Sequence, residues 1–328
     1  MIKKKQVRIT REEVARRAGV SKSTVTNVLS AKQTVPIHPD TRTRVLEAAR
    51  ELGYHPSFAA RSLVQQSTHI VGLLVPSGEA QSGAYYARMI AGLLLSTQET
   101  PYNFLYMSQE NPGKYGQCLA QGYLDAAVIL QTHCDDAHAA AVARSGLPAV
   151  TMNYLNDSGL PQISADYEGA MDQAYELLIG EGARSIAFVC GEWGRQPNRR
   201  ILKRHGLLAA RLGNRAELRQ FSTVKEALKR IDRGERPDAL VVDGLPVGME
   251  AHRGLLALGL RPGADMGLTV FNTEDPAAEA PEGMTVYDAQ PEAVGKETWR
   301  VLERLLGCEE VPRTTLVPFL PHGNPGMD

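Results

Sequence analysis

The sequence predicts a small all-α head carrying a helix-turn-helix, followed by an α/β main body of parallel sheets with flanking helices. Three observations lead there. Residues 11–30, REEVARRAGVSKSTVTNVLS, are patterned as two short helices around a tight turn. Beyond residue 68, short apolar runs alternate with helical stretches, as parallel strands joined by crossover helices require. Charge divides at nearly the same place: residues 1–66 hold 13 Lys or Arg against 5 Asp or Glu, whereas the rest of the 328-residue chain holds 23 against 32.

Two helices that cross steeply need a small residue where they touch and a residue tolerant of positive φ in the turn; Ala15 and Gly19 supply these. Thr10 followed by Glu13 spells a capping box for the first helix, and Ser21 is placed to N-cap the second. Val25 and Val28, three apart, face the first helix and turn Lys22, Ser23, Thr26 and Asn27 away from the core. Such a polar surface at the start of a second helix suits a DNA major groove, the competing reading being an ordinary helical hairpin with a solvated face. An amphipathic third helix over 38–53, with Val45, Leu46, Ala49 and Leu52 at helical spacing, completes a three-helix core. In 54–68, Pro56 can open a short helix on which Leu63 is the one large aliphatic residue. Phosphate attracts a basic head and repels an acidic body, so contact with DNA is expected near the amino terminus and weakens steeply with salt.

In the body, strands are expected at 69–76, 103–108, 126–131, 149–154, 185–191, 239–243 and 268–272, and helices at 85–99, 116–122, 137–146, 169–182, 201–212, 224–233 and 247–259. They fit two successive α/β lobes, because the chain is too long for one compact core. Open sheets of this kind bind ligands beyond the carboxyl ends of their strands. Cys118, Cys134, Cys190 and Cys308 are scattered without a CxxC pair, which fits reduced, mostly buried thiols and no metal site. The basic start has no apolar stretch behind it and no segment has 18 uninterrupted apolar residues, so a cytoplasmic protein without a membrane partner is expected. No phosphate loop, HExxH, GxSxG or strand-following GxGxxG is present, and neither an enzyme nor a cofactor is expected.

In three stretches, VARRAGVSKSTVTNVLS at 14–30, TRTRVLEAARELGYHPSFAARSL at 41–63 and IVGLLVP at 70–76, the chain resembles the lactose/galactose repressor (LacI/GalR) family of transcriptional regulators, in order and at family spacing. The resemblance implies a head over 1–56, a hinge helix and linker over 57–68, and an effector-binding, dimerising body over 69–328. That body would be two-lobed and periplasmic-binding-protein-like, with lobe one about 69–162 plus 291–318 and lobe two about 163–290 plus 319–328. The chain would cross between lobes near 160–165, 287–292 and 317–322. It further implies a repressor that binds a palindromic, double-stranded operator as a homodimer under control of a small-molecule effector. The alternative is a family regulator whose cleft has lost its ligand, constitutive or controlled by a protein partner. Without a terminal leucine heptad, a dimer is expected rather than a tetramer.

In the recognition helix, Lys22, Ser23 and Asn27 would reach base edges while Ser21, Thr24 and Thr26 hold phosphates. Most members have Arg where this chain has Asn27, and Asn favours adenine over guanine. The hinge would place Leu63 as a minor-groove wedge, with Ala60 keeping it thin and Arg61 meeting the groove's negative potential. Effector contacts implied by the resemblance are Tyr85 and Tyr86, which either stack on a ring or pack between helices, then Asn153, Lys203, Asp243 and Asn272. Spacing leaves Gly244 as a second match for Asp243. Lys203 and Asn272 stand where the family commonly has Arg and Asp, which fork around vicinal hydroxyls as Lys and Asn cannot. With Arg195, Arg199, Arg200, Arg204 and His205 nearby, this points to an anionic carbohydrate, a sugar acid or sugar phosphate, unless the segment is simply a solvated basic face.

Overall fold

The computed structural model describes residues 9–29, 36–55, 62, 65–76, 84–130, 137–153, 155, 157–189, 208, 215–272 and 280–322. The chain forms two compact units, 1–68 and 69–328. The helix expected over 201–212 lies outside the described residues save Leu208, as do Ala60, Arg61 and Leu63 of the expected hinge.

In the first unit, helices α1 (Arg11–Ala18), α2 (Lys22–Leu29) and α3 (Pro39–Glu51) pack around Val14, Val25 and Val45, each fully buried. Thr10 and Glu13 form the capping box: the Thr10 hydroxyl accepts the Glu13 amide, and the Glu13 carboxylate accepts the Thr10 amide at 2.7 Å. Gly19 ends α1 at φ 66°, with open space where a Cβ would stand. Backbone conformation, not crowding, selects glycine there. One expectation fails: Leu46 is 47% exposed, and Ala48 is buried in its stead. The inward stripe of α3 runs through positions 45, 48 and 49, which rotates position 46 to the rim.

Among the described residues, the second unit contains two six-stranded sheets. The first has the order β11-β5-β4-β3-β1-β2, built from β1 (Ile70–Val75), β2 (Asn103–Ser108), β3 (Ala126–Leu130), β4 (Ala149–Met152), β5 (Gln162–Ala165) and β11 (Thr314–Val317), all parallel. The second has the order β12-β10-β9-β8-β6-β7, built from β6 (Ser185–Val189), β7 (Glu217–Phe221), β8 (Ala239–Asp243), β9 (Gly267–Asn272), β10 (Thr285–Asp288) and β12 (Leu320–His322). Among the described strands, only β12 runs antiparallel to its neighbour. Crossover and covering helices are α4 (Ala84–Leu95), α5 (Pro112–Ala120), α6 (Ala137–Ser145), α7 (Tyr167–Gly180), α8 (Val224–Asp232), α9 (Leu245–Ala257) and α10 (Pro291–Leu306). Central strands such as β3, AAVIL, are buried along their whole length and read as uninterrupted apolar runs, as strands covered on both faces must.

Among the described residues, the chain passes between sheets three times, at Asp166, at 289–290 and at 318–319. Strands β5, β7, β10, β11 and β12 and helix α10 have no counterpart among the expected elements. The α4–α10 crossing is close enough that a Cβ on Gly92 would fall on the Glu292 carbonyl, and one on Gly295 on the Met89 carbonyl and Leu93 amide. Glycine is therefore required on both helices by backbone-to-backbone approach. Cys118 is half-buried and Cys308 exposed, and both are free; Cys134 and Cys190 lie outside the described residues. Among the described residues no helix is long and apolar enough to cross a membrane, and no His, Cys, Asp and Glu side chains cluster as metal ligands.

Candidate DNA-reading helix and effector cleft

Helix α2 owes its start to Ser21, whose hydroxyl accepts the Thr24 amide at 3.1 Å. The same oxygen lies 2.7 Å from the Ser23 hydroxyl and 2.8 Å from that of Thr24, so three hydroxyls form one chain at the amino end. Val25 and Val28 turn inward, leaving Ser21, Lys22, Ser23 and Thr26 exposed and Thr24 and Asn27 half-buried. Thr26 donates its hydroxyl back to the Lys22 carbonyl at 3.0 Å and keeps its oxygen lone pairs outward. The result is a rigid polar surface with a cation and several hydroxyls at a helix amino end, which is suited to phosphate and base edges.

In the second unit the named cleft residues fall at the carboxyl ends of strands or beside them. Tyr85 on α4 is 6% exposed, and its hydroxyl donates to Asn153 Oδ1 at 3.2 Å. Its ring meets Tyr86 edge-on, with centroids 5.5 Å apart. Tyr85 is thus buried, whereas Tyr86 is half-buried. Asn153 follows β4 with φ at 94°, sparsely populated for a side-chain-bearing residue; its backbone amide donates to the Ile163 carbonyl, and the Ser164 hydroxyl donates to the Asn153 carbonyl. Asp243 is the last residue of β8 and half-buried, whereas Gly244, at φ 94°, opens α9 and bonds the Phe271 carbonyl. Asn272 ends β9 in register with Asp288 of β10, its side chain outside the described residues, as is all of Lys203.

Sequence reasoning missed a cluster beside this cleft. Arg88, the one charged residue in α4, forks onto Glu292 in the first turn of α10 at 2.6 and 2.9 Å and stands 3.8 Å from Asp288. Burial pushes the Glu292 carboxyl up, but hydrogen bonds and the charge of Arg88 outweigh this and hold it below its ordinary value. The Gln290 amide donates to Asp288, and its side chain donates to the Pro318 carbonyl at 2.6 Å. The Asp166 amide bonds the Val317 carbonyl at 2.8 Å. Phe319 packs edge-on against Tyr167 and Phe271, at 4.9 and 6.0 Å between centroids. All three interlobe passages are thereby laced together. A lone arginine one turn after Tyr85 in an uncharged helix was the available signal.

Among known proteins, the family model for bacterial regulatory proteins of the lacI family matches residues 10–57, and a periplasmic binding protein-like domain matches 175–321. The HTH-type transcriptional regulator CelR of Thermobifida fusca is 29% identical over 319 residues, 92% of this chain and 93% of that protein. Catabolite control protein A of Priestia megaterium is 26% identical over 330 residues, 96% of this chain and 97% of its own length. The fold is that of the lac repressor dimer bound to operator and the anti-inducer ONPF, with a TM-score of 0.77 at 20% identity over 96% of this chain and 97% of that one. A complex of the transcriptional regulator CelR with cellobiose superposes with a TM-score of 0.61 at 25% identity, over 96% and 98% of the two chains.

Proposed function

Because the chain belongs to the LacI family of bacterial regulatory proteins, a sequence-specific DNA-binding transcriptional regulator and not an enzyme, we propose that it represses from a palindromic operator as a homodimer, under control of a carbohydrate held between its two sheets. The observation that carries this reading is the capped, outward-facing α2 on a basic head. One head makes too few contacts for useful selectivity, so two act together on half-sites related by a twofold axis. Lys22, Ser23 and Asn27 read base edges while Ser21, Thr24 and Thr26 position the helix on phosphates. Asn27 takes an adenine at its position. Ala60, Arg61 and Leu63, in the hinge, enter the central minor groove. Binding selection from randomised palindromes tests the whole of this: enrichment of a symmetric site with adenine at the Asn27 contact is expected, and no preference over random DNA overturns it.

For the effector, the basic residues between Gly194 and Gly206, with Asn272 in place of a carboxylate, favour a sugar acid or sugar phosphate bound by Tyr86, Asn153, Lys203, Asp243 and Asn272, with Tyr85 behind them. CelR was solved with a neutral disaccharide, which makes cellobiose the natural control. Calorimetric titration with matched neutral and anionic sugars decides the charge class, since binding of the neutral sugars alone excludes it. Either an inducer or a corepressor works by differential affinity for two lobe arrangements. One observation favours the reading of a cleft without a ligand: Tyr85 and Asn153 already satisfy one another. A melting temperature unmoved by any sugar or sugar acid at high concentration is its expected signature.

A further inference from the structure

The passage at 289–290 joins β10 of one sheet to α10, which packs on the other sheet and against α4. Its two ends carry carboxylates, Asp288 and Glu292, and both face the same guanidinium. Arg88 and Glu292 ride on helices of the first lobe that approach backbone to backbone at Gly92 and Gly295. Asp288 belongs to the second lobe. The Arg88–Glu292 fork is tight, at 2.6 and 2.9 Å, whereas the Arg88–Asp288 approach is loose at 3.8 Å, with the two side chains 22% and 12% exposed. Partial burial strengthens both attractions relative to a surface pair.

We infer that Arg88 is an interlobe clasp for which Asp288 and Glu292 compete, and that the division of this one cation between two acids sets how freely the lobes rotate about their three passages. The surrounding geometry supports it. Gln290 takes a left-handed conformation at φ 50° between the two acids, its amide holding Asp288 and its side chain reaching the Pro318 carbonyl of the third passage. The third passage is in turn bonded to the first through Asp166. A displacement of Asp288 relative to Arg88 is therefore transmitted to every connection between the lobes. Tyr85 sits one turn before Arg88 on the same helix and bonds Asn153, so the clasp lies within a helical turn of the cleft. The inference does not depend on the effector's identity, because the competition exists in the ligand-free protein.

Competition makes a signed forecast. Removing the charge of Glu292 shifts the cation toward Asp288 and tightens the clasp; removing that of Asp288 leaves the Glu292 fork unopposed and slackens the lobes. The test is pulsed electron paramagnetic resonance on the full chain without ligand, with spin labels on genetically encoded keto side chains in place of the exposed Arg144 and Lys229, one on each lobe. Glu292→Gln narrows the interlobe distance distribution relative to wild type, and Asp288→Asn widens it. Arg88→Met also widens it. A purely structural ion pair would move Glu292→Gln and Asp288→Asn in the same direction, or neither, and either result overturns the clasp. Should Asp288→Asn fail to fold, Glu292→Gln against Arg88→Met carries the same opposition of sign.

Discussion

Ser21→Ala and Ser21→Asp separate two roles carried by one hydroxyl. Its oxygen accepts the Thr24 amide at 3.1 Å, so alanine leaves that amide to water and costs about 1 kcal/mol of helix stability. Ser21 is exposed, and no cavity adds to the loss. At tenfold per 1.4 kcal/mol, this is about a fivefold loss of hydrogen-exchange protection at the α2 amides. Aspartate restores the acceptor and places a negative charge at a helix amino end, which stabilises the helix. That carboxylate would also face DNA phosphate. Ser21→Asp is therefore expected to protect α2 as well as serine does, yet bind every duplex more weakly. Amide exchange followed by mass spectrometry, beside titrations with a selected palindrome and a random duplex, reads both effects. Unchanged protection in Ser21→Ala refutes the cap, and undiminished DNA affinity in Ser21→Asp refutes the placement of this surface against phosphate.

Three further outcomes follow from the same reasoning. Leu63→Ala is expected to weaken operator binding far more than nonspecific binding, since only a specific complex kinks its DNA; equal losses in parallel titrations rule out the wedge. Hydrogen bonds from the Thr10 amide and hydroxyl hold the Glu13 carboxyl below its ordinary value of 4.5, so the capping box contributes fully above that pH and is lost as pH falls through the lowered value. Protection of α1 should decline on that acid limb in wild type and lack the component in Glu13→Gln. Gly295→Ala forces a methyl onto backbone atoms of α4 and should cost about 3 kcal/mol, roughly 6–12 °C in the body's melting temperature, against about 1 kcal/mol for Gly19→Ala. Calorimetry that ranks the two in the other order contradicts the close crossing.

The head was almost wholly legible because its signals are local. Thr10 and Glu13, Gly19, and Ser21 each act within four residues of themselves, and each stands where the pattern placed it. Most strands recovered in the body are buried on both faces, such as IVGLLV and AAVIL; the exposed edge strand β2, NFLYMS, was recovered from its apolar and aromatic residues. Those that escaped are partly polar or lie at edges. β7 is ELRQF with a paired Glu217 and Arg219, β12 carries Pro321, and β5 buries Gln162 and Ser164 among its four residues. Helix α10 escaped although strongly amphipathic, its buried stripe interrupted by Gly295 and Thr298. The cleft was legible only as positions. Tyr85 bonding Asn153, and Arg88 facing two acids from distant parts of the chain, are products of tertiary folding that no spacing encodes.

Both sheets are completed by segments far along the chain from the strands they join: Thr314 of β11 pairs with Gln162, and Leu320 of β12 with Asp288. At roughly 5–20 residues per second, the head has many seconds to fold before either lobe is whole. During that interval β5 and β10 present unpaired edges, which makes the nascent body a client for chaperones and a hazard for aggregation. Translation thus delivers the groove-reading part before its means of control.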